Sequence, residues 1–362
     1  MDLDYFYAQC EENANPSIRG KPVVVCVYSG RTLDSGVVST SNYEARKYGV
    51  KAGIAILTAK KQLASTDAIF LPMNRPLYHS ISERIMTILR EYCDLFERTS
   101  IDEAYLDVSE NSTGSYETAE TIGRSIKEAI LRQEQITCSI GIAPNKLLAK
   151  LASDHMKPNG MTIVTAEQIH RFLNNQEVNR IPGVGKKVEE KLHNCNVKTI
   201  DELSRLNPIV LQEMFGRKLG TYLYLAARGE DDEPVHEKEI PTQISRIGTL
   251  KENTRDIDSI LPVLSELAKS LVEKLQDEQM NCKSVSIIAI LSNLAIHTRS
   301  RTLESSAKDL RTIDENAQQL LREFIESTPQ STLRRVGVKV TGLSRPSGQT
   351  KIQSFFSAEV AR

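Results

Sequence analysis

The chain has no segment able to cross a bilayer as a helix. None of its apolar runs approaches the roughly 20 residues such a helix needs, and the longest, 23–28 and 286–291, have the length of buried strands. A secretory leader is excluded as well, because Asp2, Asp4, Glu11 and Glu12 stand where its apolar core belongs. The six cysteines (Cys10, Cys26, Cys93, Cys138, Cys195, Cys282) are scattered singly with no Cys-x-x-Cys spacing. That pattern argues against a zinc site and a disulfide framework alike, and it fits a reducing, cytoplasmic compartment. Basic charge is also missing in bulk: the formal net charge is −1 and the pI is near 6.6. Any polyanionic partner must therefore be met by local basic faces. At 362 residues and 40.5 kDa, with 40% hydrophobic and 26% charged residues, the chain is globular and long enough for two to four units.

Acidic residues do stand in a suggestive order. In Ser100-Ile101-Asp102-Glu103-Ala104-Tyr105-Leu106-Asp107 two adjacent carboxylates precede a strand-like run, which predicts a tight hairpin. An Asp-Glu pair alone is usually a solvated turn. Near the N-terminus, however, Asp2 is followed by Tyr5-Phe6-Tyr7, and a strand carrying Asp2 beside that hairpin would make a carboxylate cluster open on one side. Crowded carboxylates repel unless a cation neutralises them, and hard oxygen donors suit Mg²⁺ that also holds substrate phosphates. Such a layout supports two-metal phosphoryl transfer.

Taken together, Asp2, Tyr5-Phe6-Tyr7 and Ser100 to Asp107 resemble the Y-family, lesion-bypass DNA polymerases of the archaeal polymerase IV type, and the likeness runs from Met1 to about Val340. The resemblance implies an α+β, multidomain right-hand polymerase. Its expected parts are a palm at 1–5 and 73–165, fingers at 6–72, a helical thumb at 166–230, a linker at 231–243, a β-α-β-β-α-β little finger at 244–341 and a flexible tail at 342–362. It implies template-directed DNA synthesis from dNTPs on primer-template DNA, with modest, salt-sensitive DNA affinity. Asp2, Asp102 and Glu103 are the expected catalytic residues. With the Leu3 carbonyl they are also the expected ligands of two Mg²⁺ ions. Tyr5, Phe6, Tyr7, Thr40, Tyr43, Arg46 and Lys157 match positions that bind the incoming nucleotide, Tyr7 as the gate against a 2′-hydroxyl. On residue type alone, Tyr43 and Arg46 could equally belong to a solvated amphipathic helix, and Lys157 to a surface turn. Val27, Val37, Ser39 and Gly53 match small roof positions over the new base pair. Asp4 and Asp107 match structural positions.

Local patterns agree with this division. Leu77, Ile81, Ile85, Ile88 and Leu89 recur at helical spacing within Arg75 to Cys93, and further helices are predicted over 116–133 and 145–156 around a strand at 136–142. Ile181-Pro182-Gly183-Val184-Gly185-Lys186 resembles a helix-hairpin-helix, in which glycines let backbone amides approach a phosphate; Gly183, Gly185 and Lys186 are its expected DNA contacts. Strands at 244–250, 284–291, 295–303 and 333–340, with helices at 257–276 and 310–325, give the β-α-β-β-α-β order. Arg246, Arg299, Arg301, Arg334 and Arg335 are strand-borne cations able to face duplex phosphates. In the tail, Gln349, Ile352, Phe355 and Phe356 match the peptide 349–356 that docks on sliding clamps of the archaeal and eukaryotic kind. A monomer is expected, with no membrane partner.

Two other classes fit part of this pattern. A nucleotide cyclase shares paired acidic residues on a palm-like sheet but has no use for the glycine hairpin. A non-catalytic DNA and clamp scaffold is suggested by one departure: relatives carry several apolar residues before the matching aspartate, whereas here Met1 directly precedes Asp2. Either the true start lies further upstream or the chain is truncated there; if it is truncated, Asp2 is expected at a frayed terminus with impaired metal binding.

Overall fold

The structure, a computed structural model, describes residues 1–237 and 240–345. These form two compact units, residues 1–28 with 36–237 and residues 29–35 with 240–345. No helix among the described residues is long and apolar enough to cross a membrane, and all six cysteines are free.

In chain order the first unit contains β1 (Asp2–Leu3), α1 (Phe6–Ala14), β2 (Val23–Tyr28), β3 (Gly36–Ser41), α2 (Tyr43–Arg46), α3 (Ile56–Gln62), β4 (Ile69–Pro72), α4 (Arg75–Arg90), β5 (Leu95–Arg98) and β6 (Ala104–Asp107). It continues through α5 (Tyr116–Glu134), β7 (Cys138–Ile142), α6 (Lys146–His155) and β8 (Met161–Ile163). The helices α7 (Ile169–Leu173), α8 (Lys186–His193), α9 (Ile200–Ser204), α10 (Pro208–Phe215) and α11 (Arg217–Ala226) follow.

Short as it is, β1 is the hub. One edge pairs antiparallel with β7, Asp2 opposite Ser139 and Leu3 opposite Cys138, and β7 runs parallel to β8. The other edge receives the β5–β6 hairpin: the Leu3 amide donates to the Asp102 carbonyl (2.9 Å) and the Ala104 amide to the Met1 carbonyl (3.1 Å). The Met1 ammonium closes the ladder on the Ala104 carbonyl at 2.9 Å, where burial pushes its pKa down. Asp2 is thus bonded on both sides and only 5% exposed, so the expected frayed terminus is corrected.

The β-branched run of β2 is buried on both faces. Val23 and Val25 enter the core shared with α1, α4, β6 and β7, while Val24 and Cys26 enter a smaller core with Val38, Ala45, Ile56 and Leu63. Phe6, Ala8 and Cys10 of α1 lie in the first of these cores, so the start of the expected 6–72 fingers is packed with the palm sheet.

Helix α6 begins at Asn145, whose side chain accepts the Leu148 amide at 2.9 Å. Leu147, Leu148 and Leu151 anchor it in the helical core that also holds Ile181, Leu192, Leu203 and Leu223. Lys146, Lys150 and Asp154 recur every fourth residue and therefore form one charged stripe.

The expected linker 231–243 is corrected over 231–237. Asp231 accepts the Leu147 amide (3.0 Å), and the ammonium of Lys146 reaches Glu233 (3.1 Å) and the buried Glu97 of β5 (2.8 Å). The His236 amide donates to Glu97, and Arg90 pairs with Glu237. The acidic residues of this stretch thus serve attachment to partners in the first unit.

The second unit is a sheet ordered β11-β10-β12-β9, made from β9 (Gln243–Thr254), β10 (Cys282–Leu291), β11 (Ile296–Ala307) and β12 (Leu333–Thr341). It is backed by α12 (Ile257–Asp277) and α13 (Leu310–Ser327). Val285, Ile287 and Ala289 of β10 face the helices with Val336, Val338 and Val340 of β12. These six elements follow the expected order to within a few residues.

Candidate active site

Where β1 ends, Tyr5 adopts a left-handed backbone (φ 36°), which lets the chain turn from strand to α1 at once. The turn leaves the Asp2 side chain beside the β5–β6 hairpin, and Asp2 and Glu103 form an isolated antiparallel bridge. Their carboxylates converge on a single ammonium, that of Lys150. Two lysines complete the cluster. Lys150 of α6 places its ammonium 2.7 Å from Asp2 Oδ2 and 2.5 Å from Glu103 Oε1, and Lys157 lies 2.6 Å from Asp2 Oδ1. Both also reach Asp154, at 3.5 Å and 2.7 Å.

Burial pushes the Asp2 carboxyl up, but the Glu103 hydrogen bond and the two ammonium groups outweigh it and hold the group at about 2. Glu103 is raised, first by burial and then by sharing its hydrogen bond with Asp2. Burial works against the charged forms of Lys150 and Lys157 too, yet the Asp2 charge keeps both above the ordinary lysine value. Asp2 is therefore a firmly ionised, buried oxygen donor.

Of the three expected carboxylates, two meet directly. Asp102 is held next to them through its backbone bond to Leu3, but its side chain turns to the Ser100 hydroxyl at 2.5 Å. Among the described residues no three His, Cys, Asp or Glu side chains gather in metal-binding geometry, and the Asp102 side chain stands beside the Asp2–Glu103 pair rather than within it. Asp4, as expected, is structural; it accepts Thr137 and Ser139 hydroxyls (2.9 and 2.7 Å) and the Asn159 amide (2.7 Å).

The donor set nonetheless suits a hard divalent cation. Carboxylate oxygens of Asp2 and Glu103 converge on one cationic position, which the Lys150 ammonium fills as a stand-in charge.

Aromatic side chains border the cluster. Tyr5 packs edge-on against Tyr43, ring centroids 5.4 Å apart, and burial with the Glu12 charge pushes its hydroxyl up to about 12. Phe6 is 2% exposed, and its ring is core. Tyr7 stacks on the buried Tyr78 ring at 4.4 Å, and its hydroxyl is raised by burial and by the Asp102 charge. Arg46 lies over the Tyr43 ring at 4.6 Å and gives its Nε to the Ser41 carbonyl. Arg46 is an exposed residue. Thr40 sits opposite Val25 on β3, and Val27 and Val37 form an exposed cross-strand pair.

Gly183 has φ +85°, the left-handed region that its turn into α8 requires, and the Tyr222 hydroxyl fastens the neighbouring Pro182 carbonyl at 2.7 Å. Gly185 and Lys186 are exposed at the start of α8, whereas Lys191 turns back to the Met214 carbonyl.

The strand-borne arginines divide by sheet face. Arg299 and Arg301 lie opposite Ile287 and Val285, hence on the helix side of edge strand β11. Arg301 pairs with Glu323 of α13 at 2.7 Å, and Arg299 lies over the Phe324 ring. Arg246 likewise bonds Ser270 of α12. Arg334 falls in an irregularity of β12, and the open face carries Arg335 and Lys339. The clamp residues Gln349, Ile352, Phe355 and Phe356 lie outside the described residues.

Lys150 and the face-paired Lys339 went unread in the sequence. Lys146-x₃-Lys150-x₃-Asp154 is visible as a charged helical stripe, but nothing local identifies its partners on β1 and the β5–β6 hairpin.

Comparison with known proteins is extensive. Residues 1–154 match the model of the impB/mucB/samB family, 241–354 that family's C-terminal domain, and 179–231 a DNA polymerase-iota thumb domain. DNA polymerase IV of Nitrosopumilus maritimus is 44% identical, covering 98% of both chains, and that of Methanosarcina acetivorans is 42% identical over the same shares. Among solved structures, a Y-family DNA polymerase chimera of Dbh and Dpo4 has a TM-score of 0.89 at 37% identity, covering 95% of this chain and 98% of that one. An insertion ternary complex of Dbh DNA polymerase covers the same shares at 37% identity with a TM-score of 0.69.

Proposed function

The chain belongs to the impB/mucB/samB family of Y-family, lesion-bypass DNA polymerases, and on that premise we propose that it extends primers by two-metal nucleotidyl transfer with low fidelity on intact DNA. The observation that carries this reading is the ionised, buried Asp2 carboxylate beside Glu103 at the end of β1, with the Asp102 backbone bonded to Leu3. Asp2, Asp102, Glu103 and the Leu3 carbonyl are the proposed ligands of two Mg²⁺ ions. When bound, such ions lower the pKa of a primer 3′-hydroxyl and neutralise charge on the triphosphate.

The protein's own groups then bind and orient. Thr40, Tyr43, Arg46 and Lys157 hold the triphosphate, with the exposed Arg46 offering a planar guanidinium fork. Lys157 must exchange Asp2 for phosphate oxygens to do so. Tyr7, kept rigid by its stack on Tyr78, gates the sugar; Tyr5 and Phe6 contribute backbone and packing. Val27, Val37, Ser39 and Gly53 leave a loose roof, which accommodates damaged templates and lowers selectivity. Gly183, Gly185, Lys186 and Arg334 contact the DNA backbone, joined by Arg335 and Lys339 on the open sheet face. Arg299 and Arg301 reach phosphate only around the β11 edge. The peptide 349–356 docks on a sliding clamp.

Primer extension across an abasic template with Mg²⁺ tests the assignment. Full-length product from the chain as given, lost on Asp102→Ala, is the expected result; no extension by the unsubstituted protein defeats the reading and favours the scaffold.

A further inference from the structure

Lys150 has no part in the nucleotide or DNA contacts proposed for this chain, yet among the described residues no other cation pairs with both Asp2 and Glu103. Two carboxylates this close cannot both be ionised without a compensating charge. An ammonium supplies one, on a flexible four-carbon stem that can swing away without rebuilding a planar fork of contacts. One helical turn further along α6, Asp154 already lies 3.5 Å from the same ammonium. A second seat is thus present on the same helix face. Lys157 cannot substitute, since it reaches Asp2 and Asp154 but no contact with Glu103 is formed.

A divalent cation and an ammonium cannot share the same two carboxylate oxygens, because their repulsion at such distance exceeds what water or protein screens. Resting on the two-metal reading, we propose that Lys150 is the resident counter-ion of the metal-free site: it holds Asp2 and Glu103 assembled and withdraws to Asp154 when a divalent cation enters. The free enzyme then binds metal weakly, and retention rises when a nucleotide's phosphates add ligands. Lys150 and Asp154 are positioning residues whose effect is on metal affinity.

Mn²⁺ binding to the full chain, followed by electron paramagnetic resonance without DNA or nucleotide, reads this directly. Lys150→Met should tighten Mn²⁺ roughly tenfold, since no ammonium is displaced, and lower the metal-free melting temperature while enlarging the rise on adding Mn²⁺. Asp154→Asn should weaken Mn²⁺ severalfold when Lys150 is present and change little in the Lys150→Met background. Unchanged or weaker binding by Lys150→Met overturns the proposal, as do equal effects of Asp154→Asn in both backgrounds. Should Lys150→Met fail to fold, Lys150→Arg takes its place: a fork that clamps both carboxylates should weaken Mn²⁺, and unaltered affinity overturns the proposal. Asp2→Asn separates the two readings. Mn²⁺ uptake indifferent to it defeats the metal site itself; uptake that it abolishes, together with no response to Lys150→Met, defeats only the counter-ion role.

Discussion

The end of β1 and the four-stranded sheet of the second unit carry charge in opposite ways. Around Asp2 the ions are half-buried to buried, mutually paired within 3 Å for the most part, and drawn from β1, the turn of the β5–β6 hairpin, α6 and the segment after α6. On the sheet the cations are spread along strands, and alternate positions face opposite sides. In the first region each side chain has a distinct task, and removal of one leaves a charge uncompensated. In the second, any single cation adds a small, screened contribution, and its usefulness depends on strand parity.

That contrast can be broken by substitution. Asp102→Ala or Glu103→Ala should lower single-turnover primer extension roughly 1,000-fold with little change in DNA affinity; a loss below tenfold would put the chemistry elsewhere. Next in size is Glu97→Ala, which removes the buried partner of Lys146, leaves its ammonium the more exposed Glu233, and should destabilise the first unit by about 3 kcal/mol in denaturant unfolding. Tyr7→Ala should raise ribonucleotide incorporation on the order of tenfold, because a ring fixed by its neighbour is replaced by space; equal sugar discrimination removes the gate. The sheet should respond least. Arg335→Ala and Lys339→Ala are each expected to weaken duplex binding by roughly threefold and to reduce the salt slope by about 1. Arg301→Ala, whose side chain pairs with Glu323 on the helix side and meets phosphate only around the β11 edge, should reduce the slope by less. Equal slopes for all three substitutions would mean that face parity does not decide DNA contact.

Much of the architecture could be read along the chain. The continuous Val23 to Cys26 run, the helical spacing from Leu77 to Leu89 and the β-α-β-β-α-β order of the second unit all appear where expected, because hydrophobic period is a local property. Attachments could not. The acidic stretch 231–237 looked like a solvated linker, since nothing in it reveals that Lys146 and Glu97 form a buried pair able to receive it. The arginines of β11 looked equivalent to those of β12 for the same reason.

Residue order alone established the family likeness, the Asp2 and Asp102-Glu103 carboxylates, and the elements that carry them, since these depend on residue type and short-range spacing. Tertiary structure decided which charges meet: Lys150 between Asp2 and Glu103, the Asp102 side chain on Ser100, and Arg301 behind the sheet. The Lys150 pairings span 148 and 47 residues of chain, so strand register and helix docking set them, and a one-residue change of register turns a strand side chain to the other face.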